Sequence, residues 1–274
     1  MRSNSENDQF ARLITSIEPW LGEVVIIGGW AHRLYRLDAR AQLLDYMPVF
    51  TVDADIALPS NLKVERKDIR ECLVDHGFKE DRMGEDKPPV THYHLAEDGT
   101  GFYAEFLTPS TGGEHRRDGT SNSTMTIAGV VSQKLRFIEI LLNAPWTVDL
   151  DQTNGFPFEE AIRVRIANPA AFLAHKLLIE KRRTSTRHPK DILYIHDTLE
   201  TFGGRLQELN AEWKNHIGPI LSPKNVRLIE RSAESLFHEV TDPVREAALI
   251  ASGRSLSPER IREICNWGLK QVFG

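Results

Sequence analysis

Two aspartates, Asp53 and Asp55, lie two positions apart in a segment that alternates apolar and polar residues, 49–58. This alternation predicts a β-strand, and residues two apart in a strand project from the same face. Both carboxylates would then lie within reach of one hard cation such as magnesium, which proteins hold with one or two carboxylates and substrate phosphates. Asp is disfavoured in strands, and close like charges repel unless something neutralises them. On this motif alone, a magnesium site and a solvated strand face explain the pair about equally well.

Gly28 and Gly29 follow a short apolar run, residues 24–27, and precede a segment from Trp30 to Leu44 that contains no glycine or proline. The pattern predicts a buried strand, a tight turn and a helix. Without Cβ atoms, the backbone N–H groups of such a turn can approach a phosphate closely, and a helix N-terminus adds a favourable partial charge. The two glycines also suit an ordinary turn between a strand and a helix.

Glu105 lies in another strand candidate, residues 102–107, among apolar and aromatic neighbours. A buried glutamate needs a partner or a metal. Beside the Asp-x-Asp strand, Glu105 would complete a group of three carboxylates, whereas on an edge strand it would face water. His92 and His94 could place two imidazoles on one face of a strand over residues 90–96, but a polar strand face is the simpler interpretation of that pair.

The chain changes character near residue 168, because strand and helix patterns alternate before it and only helical patterns follow. Asn168 suits a helix cap and Pro169 the first turn of the helix that follows. We therefore predict an α+β protein, with a mixed sheet and flanking helices over residues 1–168 and a helical region over 169–274. The remaining predictions are strands at 146–150 and 162–166, a surface loop at 110–123, and helices at 9–20, 65–76, 170–183, 191–201, 206–216, 225–236, 243–251 and 258–272.

The composition of the 274 residues, 41% hydrophobic and 27% charged, is typical of a globular protein in water. No apolar run reaches the roughly 20 residues that cross a bilayer, and the polar N-terminus lacks the apolar core of a signal peptide. The two cysteines, Cys72 and Cys265, lie too far apart in the sequence to suggest a disulfide framework or a thiolate zinc site. We therefore expect a cytoplasmic protein with no membrane partner.

The net charge of −5 argues against a general nucleic-acid coating protein, but the cations are unevenly distributed. Residues 163–190 contain a single acid, Glu180, and eight basic residues: Arg163, Arg165, Lys176, Lys181, Arg182, Arg183, Arg187 and Lys190. A cationic strip on an acidic protein suits a polyanion bound at one place. A solvated helix face followed by a basic loop is the simpler interpretation of the charges alone.

The order of these motifs resembles the nucleotidyltransferase superfamily related to DNA polymerase β. That superfamily has an apolar residue followed by Gly and Gly or Ser, then an Asp-x-Asp or Asp-x-Glu strand, then a third acid on a further strand. The matching residues here are Ile27-Gly28-Gly29, Asp53-Ala54-Asp55 and Glu105. The resemblance implies a fold of the nucleotidyltransferase type. In it, Asp53, Asp55 and Glu105 would act as metal ligands and catalytic residues, while Gly28 and Gly29 would hold the phosphates.

The helical half is similar to bacterial nucleotidyltransferase-like proteins, including the AbiEii and MenT toxins of toxin–antitoxin systems. That pattern, P-x-x-[FY] followed by a lysine and then by Lys-Asp, is matched by Pro169 to Phe172, Lys176, Lys190 and Asp191. The similarity implies that Lys176 contacts the triphosphate and that Lys190 and Asp191 flank the nucleotide site. A lysine whose stem crosses apolar surface would explain Lys176 without a ligand.

The two resemblances imply a magnesium-dependent enzyme that transfers a nucleoside monophosphate from an NTP such as ATP to an acceptor hydroxyl, with one or two Mg²⁺ ions. Glu105 would bind the second ion or act as a general base. A toxin-like enzyme would modify RNA, for instance a tRNA end, or a protein, and could have an antitoxin-type partner. The alternatives are transfer to a small molecule such as an aminoglycoside, and a binding module that keeps the fold without the reaction.

Overall fold

The computed structural model describes residues 2–49, 51–64, 66–83, 90–95, 101–110, 123–182, 188–251 and 253–274. The chain divides into two compact units, and the polypeptide passes from one to the other more than once. The first unit comprises Met1–Ala31 and Thr51–Ala167, and the second comprises His32–Phe50 and Asn168–Gly274. Among the described helices, none is long and apolar enough to cross a membrane.

A mixed sheet of nine strands forms the centre of the first unit, as far as the described residues show. The strands are β1 (Val25–Ile27), β2 (Asp53–Ala57), β3 (Phe78–Met83), β4 (Val90–Leu95), β5 (Tyr103–Pro109), β6 (Thr124–Ile127), β7 (Val130–Leu135), β8 (Trp146–Leu150) and β9 (Ile162–Ile166). Their order across the sheet is β3-β4-β5-β2-β1-β9-β8, with β7 paired to both β5 and β6. With the helices of the second unit, this sheet makes an α+β protein, as predicted.

The sheet register determines which side chains meet. Strand β2 is antiparallel to β1 and parallel to β5, so it lies between the strand that precedes the glycine turn and the strand of Glu105. Strand β4 is antiparallel to β5 on the side away from β2. Cross-strand neighbours have Cβ atoms only about 5 Å apart, so each pair in the register is a potential contact.

The core of the first unit packs apolar helix faces and loop residues against this sheet. Its helices are α1 (Arg2–Ser16), α3 (Ile69–Asp75) and α4 (Ile138–Leu142), and α2 (Gly28–Leu34) begins in this unit. The helix predicted over 9–20 overlaps α1, which begins at Arg2 and ends at Ser16, and its residues Phe10, Leu13 and Ile14 are completely buried. Trp30 is also buried and stacks on Phe10 with ring centroids 3.9 Å apart, so its indole is a core side chain.

The second unit is helical from Asn168 onward, as predicted. Its helices are α5 (Pro169–Ile179), α6 (His188–Thr201), α7 (Leu206–Glu212), α8 (Pro223–Phe237), α9 (Asp242–Ile250) and α10 (Pro258–Phe273). The cap that was predicted for α5 is present, since the Asn168 side chain accepts a hydrogen bond from the Ala170 N–H at 2.9 Å. Serines cap α8 and α10 in the same way, each followed by a proline in the first turn.

Three sequence predictions about elements were wrong or incomplete. The helix expected over Trp30 to Leu44 ends at Leu34 and continues only as a 3₁₀ turn to Leu37. Strand β3 was missed because its sequence, FKEDRM, is largely charged and lacks an alternating pattern. The hairpin of β6 and β7 was missed because its turn is Ala128-Gly129, with positive φ at both residues, and lacks the usual Asn or Asp. Most of the loop predicted over 110–123 lies outside the described residues.

Candidate functional site

Asp53 and Asp55 lie on one face of β2, as the alternation predicted. Both side chains are half-buried, whereas Ala54 and Ile56 between and after them are completely buried on the opposite face. The apolar face of the strand thus anchors it in the core, and the two carboxylates remain on the open face. The Thr51 hydroxyl donates a hydrogen bond to Asp53, which restrains that carboxylate.

Glu105 is the direct neighbour of Asp55 in the sheet. Strands β2 and β5 are parallel, with Asp53 opposite Tyr103 and Asp55 opposite Glu105. Glu105 is half-buried, like the aspartates, and its strand neighbours Ala104 and Phe106 are buried. The third carboxylate therefore projects from the same face as the first two. This is the adjacency under which the sequence would make Glu105 part of an acidic group.

The glycine turn packs directly against this acidic group. Ile27 is opposite Asp55 in the register of β1 and β2, and Gly28 follows with a φ of +63°. A Cβ atom placed on Gly28 would lie 1.9 Å from Oδ2 of Asp55. Only glycine combines this left-handed conformation with so close an approach of a carboxylate. The turn and the second aspartate thus form one structural feature.

His92 extends the polar face to the next strand. Its Nε2 lies 2.8 Å from Oε1 of Glu105, and its ring stacks on Tyr103 with centroids 4.1 Å apart. The sequence pattern placed His92 and His94 on one face of β4, and both are half-buried there. Glu105 therefore has an imidazole partner that sequence reasoning did not assign to it. The sequence signal for this contact was the spacing of His92 and His94, which lie two apart in a predicted strand and so project from the same face.

The chemistry of this donor set suits a divalent cation such as Mg²⁺. Three carboxylates project from one sheet face, and hard cations prefer carboxylate oxygens. Gly28 leaves space beside Asp55 that any other residue would fill with a side chain. Asp53, Asp55 and Glu105 are the residues that would hold the ion.

Lys176 and Asp191 form a buried pair in the second unit. The Lys176 Nζ lies 2.6 Å from Oδ1 of Asp191, and both side chains are buried. The Lys176 ammonium also lies over the rings of Phe172 and Tyr194, at 5.2 and 4.8 Å from their centroids. Lys190 is half-buried, with its Nζ 5.7 Å from the ring centroid of Tyr194. The structure thus brings together the residues implied by the P-x-x-[FY]…K…KD resemblance.

A second buried network in this unit was not predicted from the sequence. Asp197 is completely buried, and Nη1 of Arg254 lies 2.7 and 2.8 Å from its two oxygens. His196 Nδ1 lies 2.9 Å from Oδ1 of Asp197, and the Tyr46 hydroxyl donates to Glu200 at 2.7 Å. The members come from distant parts of the chain, so no local pattern could reveal them.

The charge of Asp197 is compensated within this network. Burial opposes the ionisation of Asp197, but the hydrogen bond from His196, the electrostatic influence of His32 and Arg254, and the hydrogen bond from Arg254 hold its pKa below the ordinary value. Burial raises the pKa of the Tyr46 hydroxyl, and the nearby Asp197 and Glu200 raise it further. Asp197 is therefore an ionised carboxylate whose charge is already neutralised.

His196, Asp197 and Glu200 have ligand atoms within 4.8 Å of one another, which the described part of the chain shows for no other group of three such residues. Arg254 nevertheless occupies both oxygens of Asp197. A cation bound there would have to displace a guanidinium from a buried carboxylate, which is energetically costly. We therefore interpret this group as a structural charge network, and the open face of β2 and β5 as the candidate metal site.

The basic stretch of residues 163–190 is divided between the two units. Arg163 is paired with Asp149, with Nε 2.8 Å from Oδ1, and Arg165 donates to the carbonyl of Gly22 at 2.7 Å. Lys176 is buried, as described above. Lys181 is exposed, while residues 183–187 lie outside the described part of the chain. The stretch therefore contains fewer accessible cations than the sequence suggests.

An acid-lined sheet face next to a glycine turn is the arrangement expected of an enzyme that transfers phosphate-containing groups. A family model described as nucleotidyltransferase matches residues 6–218, and the chain belongs to this family. The protein is therefore an enzyme of the class that transfers nucleoside monophosphates, and such enzymes generally use an NTP and a divalent metal. No curated protein matches the chain.

Proposed function

We propose that the protein is a magnesium-dependent enzyme that transfers a nucleoside monophosphate from an NTP to an acceptor hydroxyl and releases pyrophosphate. The observation that carries this proposal is the contact of Gly28 with Asp55, beside Glu105 in the register of the sheet. It joins the phosphate-binding and metal-binding parts of a nucleotidyl transfer site. The match to a nucleotidyltransferase family over residues 6–218 supports the same reaction.

The three acids have complementary roles in this proposal. Asp53 and Asp55 would hold one or two Mg²⁺ ions, and Glu105 would bind the second ion or accept the proton of the attacking hydroxyl. Bound metal neutralises charge on the entering and leaving oxygens. The half-buried position of the acids on β2 and β5 supports these roles, because it leaves them accessible while the buried strand faces hold them in place.

The glycines and the second-unit residues would bind the nucleotide. Gly28 and Gly29 would offer backbone N–H groups to the β- and γ-phosphates. Lys176 would offset the charge of the leaving pyrophosphate, with Lys190 and Asp191 flanking the nucleotide. This role requires the ion pair of Lys176 with Asp191 to open, because the two groups lie 2.6 Å apart and both side chains are buried.

For the acceptor, we propose RNA such as a tRNA end, or a protein, in a toxin-like system related to AbiEii and MenT with an antitoxin-type partner. The support is the basic segment from Lys181 to Lys190, in which Lys181 is exposed and Lys190 half-buried. Transfer to a small molecule such as an aminoglycoside is the alternative. An acidic acceptor surface would favour it, because aminoglycosides are polycations, and Asp81 is an acid opposite His92 next to the site.

The test of the reaction is calorimetric titration of each NTP, with and without Mg²⁺, into the wild type and the Asp53→Ala/Asp55→Ala variant. We expect Mg²⁺-dependent binding of at least one NTP to the wild type and its loss in the variant. Asp149→Ala is the matched control, since Asp149 is an acid with a 43% exposed side chain on β8, an outer strand of the same sheet. Equal binding by the wild type and the double variant would show that the aspartate pair is structural.

The acceptor is identified with NTPs labelled at the α-phosphate. Label in RNA or protein supports the toxin-like role, and label on an aminoglycoside supports the small-molecule alternative. Mg²⁺-dependent NTP binding without transfer to RNA, protein or aminoglycosides would indicate a binding module that has kept the fold but lost the reaction.

A further inference from the structure

We propose that His92 is a positioning residue that holds the Glu105 carboxylate in the orientation required for the metal and the acceptor hydroxyl. The inference rests on the proposed function, because it assigns a partner to one of the three acids. The geometry that points to it is the 2.8 Å approach of His92 Nε2 to Oε1 of Glu105.

The pairing follows from the register of the two strands. Tyr93 is opposite Ala104 in the antiparallel pair of β4 and β5, which puts His92 beside Glu105 on the open face of the sheet. The side chains of His92 and Glu105 are 18% and 19% exposed, so the contact is shielded from bulk water without being enclosed. A carboxylate only accepts hydrogen bonds, so Nε2 of His92 must carry the hydrogen and donate it.

Tyr103 determines how the imidazole is turned. Its ring stacks on His92 with an interplanar angle of 21°, and Tyr103 is also opposite Asp53 in the register of β2 and β5. The stacking restrains the plane of the imidazole, and the hydrogen bond to Glu105 restrains its rotation within that plane. A histidine held in two directions in this way can orient the carboxylate that it contacts.

The consequence for Glu105 is that one of its carboxylate oxygens has a fixed partner. Oε1 accepts the hydrogen bond from His92, so the imidazole restrains the rotation of a carboxylate that lies beside Asp55 in the sheet. Partners of this kind, which hold a metal ligand in place, change metal affinity or activity by about 10- to 100-fold when removed. Because the two side chains are mostly shielded from water, the thermal midpoint is measured beside metal binding, which separates a loss of carboxylate orientation from a loss of folding stability.

The test is a titration of Mn²⁺ into the full-length protein, with free Mn²⁺ followed by electron paramagnetic resonance. The variants are His92→Leu, His92→Gln and His94→Leu. Gln can place an amide N–H near the position of Nε2, whereas Leu removes the donor. His94 lies on the same strand and face, opposite Tyr103 in the register, and serves as the matched control.

We expect His92→Leu to bind Mn²⁺ about 10- to 100-fold more weakly than the wild type and to lower kcat by a similar factor. The KM for the NTP and the thermal midpoint should stay close to those of the wild type. His92→Gln should recover most of the loss, and His94→Leu should behave as the wild type does.

The inference is overturned alone if the wild type shows metal-dependent NTP binding that Asp53→Ala/Asp55→Ala loses, while His92→Leu binds Mn²⁺ as tightly as the wild type. A folded His92→Gln that is no better than His92→Leu would also overturn it, since the donor would then be irrelevant. A wild type that binds neither Mn²⁺ nor any NTP would overturn the proposed function and this inference together.

Discussion

The two units contain two groups of carboxylates that differ in how their charge is balanced. On the sheet face of the first unit, Asp55 lies against a glycine and Glu105 against an imidazole, and both remain half-buried. In the second unit, Asp197 is completely buried and a guanidinium binds both of its oxygens. The first group is half-buried and so remains accessible to a cation from solvent, whereas the buried carboxylate of the second already has a cation.

The comparison shows that close spacing of ligand atoms does not by itself identify a metal site. His196, Asp197 and Glu200 have ligand atoms close enough for coordination, but Arg254 already binds both oxygens of Asp197. The carboxylates of the open sheet face are half-buried, and like charges so close together repel one another unless something compensates them. Charge balance therefore distinguishes the two groups better than distance does, and each of the following changes tests that distinction.

The largest expected effect is the loss of transfer in Asp55→Asn. Removing a metal ligand from the reacting group should lower kcat/KM by about 10³-fold, equivalent to about 4 kcal/mol of transition-state stabilisation. The free energy of unfolding should change by no more than about 0.5 kcal/mol, because a half-buried like charge is removed from a crowded face. Steady-state kinetics and urea unfolding measure the two quantities. A large loss of stability would indicate that the acids are structural.

Arg254→Met should lower the stability of the protein and leave nucleotide binding unchanged, which is the opposite of what we expect for Asp55→Asn. It leaves the buried Asp197 carboxylate without its guanidinium partner, which typically destabilises a protein by about 3–5 kcal/mol. Mg²⁺-dependent NTP binding by the folded fraction should be unchanged at temperatures below the transition. Arg245→Met is the control, since Arg245 pairs with Asp242 in an exposed position and should cost under about 1 kcal/mol. Equal effects of the two substitutions would contradict the structural role of the Asp197 network.

The buried His32 in the second unit should make the free energy of unfolding depend on pH. Burial, with smaller contributions from Arg36, Lys176 and Arg254, lowers its pKa from 6.5 to about 4, although Asp197 opposes the shift. Within the described residues, neither ring nitrogen has a hydrogen-bond partner. Because the unfolded chain binds this proton first as the pH falls, stability is complete above about pH 6.5 and declines toward pH 4.

The size of this effect follows from the shift of about 2.5 pKa units, which corresponds to about 3 kcal/mol. Urea unfolding at pH 7.5 and pH 4 should therefore show that the wild type loses about 3 kcal/mol more than His32→Leu does over this interval. His238→Leu, at an exposed histidine, should lose as much as the wild type. An identical pH dependence of the wild type and His32→Leu would show that His32 is not held neutral.

The sequence predicted elements well where local patterns are strong. The apolar run before Gly28, the alternation around Asp53 and the Asn168-Pro169 cap all correspond to elements in the structure. The prediction of a helix as far as Leu44 was wrong, because a segment without glycine or proline does not have to be helical. There, Asp38 accepts hydrogen bonds from the backbone N–H and side chain of Arg40, and the chain turns. Strand β3 depends on pairing with β4, which its own residues do not reveal.

The site, too, could be predicted from the sequence only where its residues lie in strong local patterns. Asp53, Asp55 and Glu105 lie on strands with recognisable patterns, but only the register shows that Asp55 and Glu105 are neighbours. The partners of charged groups were not predictable, because His92 reaches Glu105 and Arg254 reaches Asp197 across the fold. Lys176 shows the same limit, since its burial against Asp191 changes the meaning of a basic stretch that suggested a surface strip.

The smallest expected effect comes from Gly28→Ala, which tests the link between the turn and the metal ligands. The new Cβ would lie 1.9 Å from Oδ2 of Asp55, so the carboxylate must rotate away. Misplacement of a reacting group by about 1 Å can cost about 100-fold in rate, and we expect kcat to fall by about 10- to 100-fold.

Gly22→Ala provides the matched control for this substitution, because no atom lies within 4 Å of the position that its Cβ would take. It should leave kcat and metal affinity unchanged. In Gly28→Ala the weakened Mn²⁺ binding should accompany the lower kcat, since both depend on the position of Asp55. If Gly28→Ala retains the Mn²⁺ affinity of the wild type, the contact between the turn and Asp55 matters for the fold only, and the open face loses its main distinction from the closed network around Asp197.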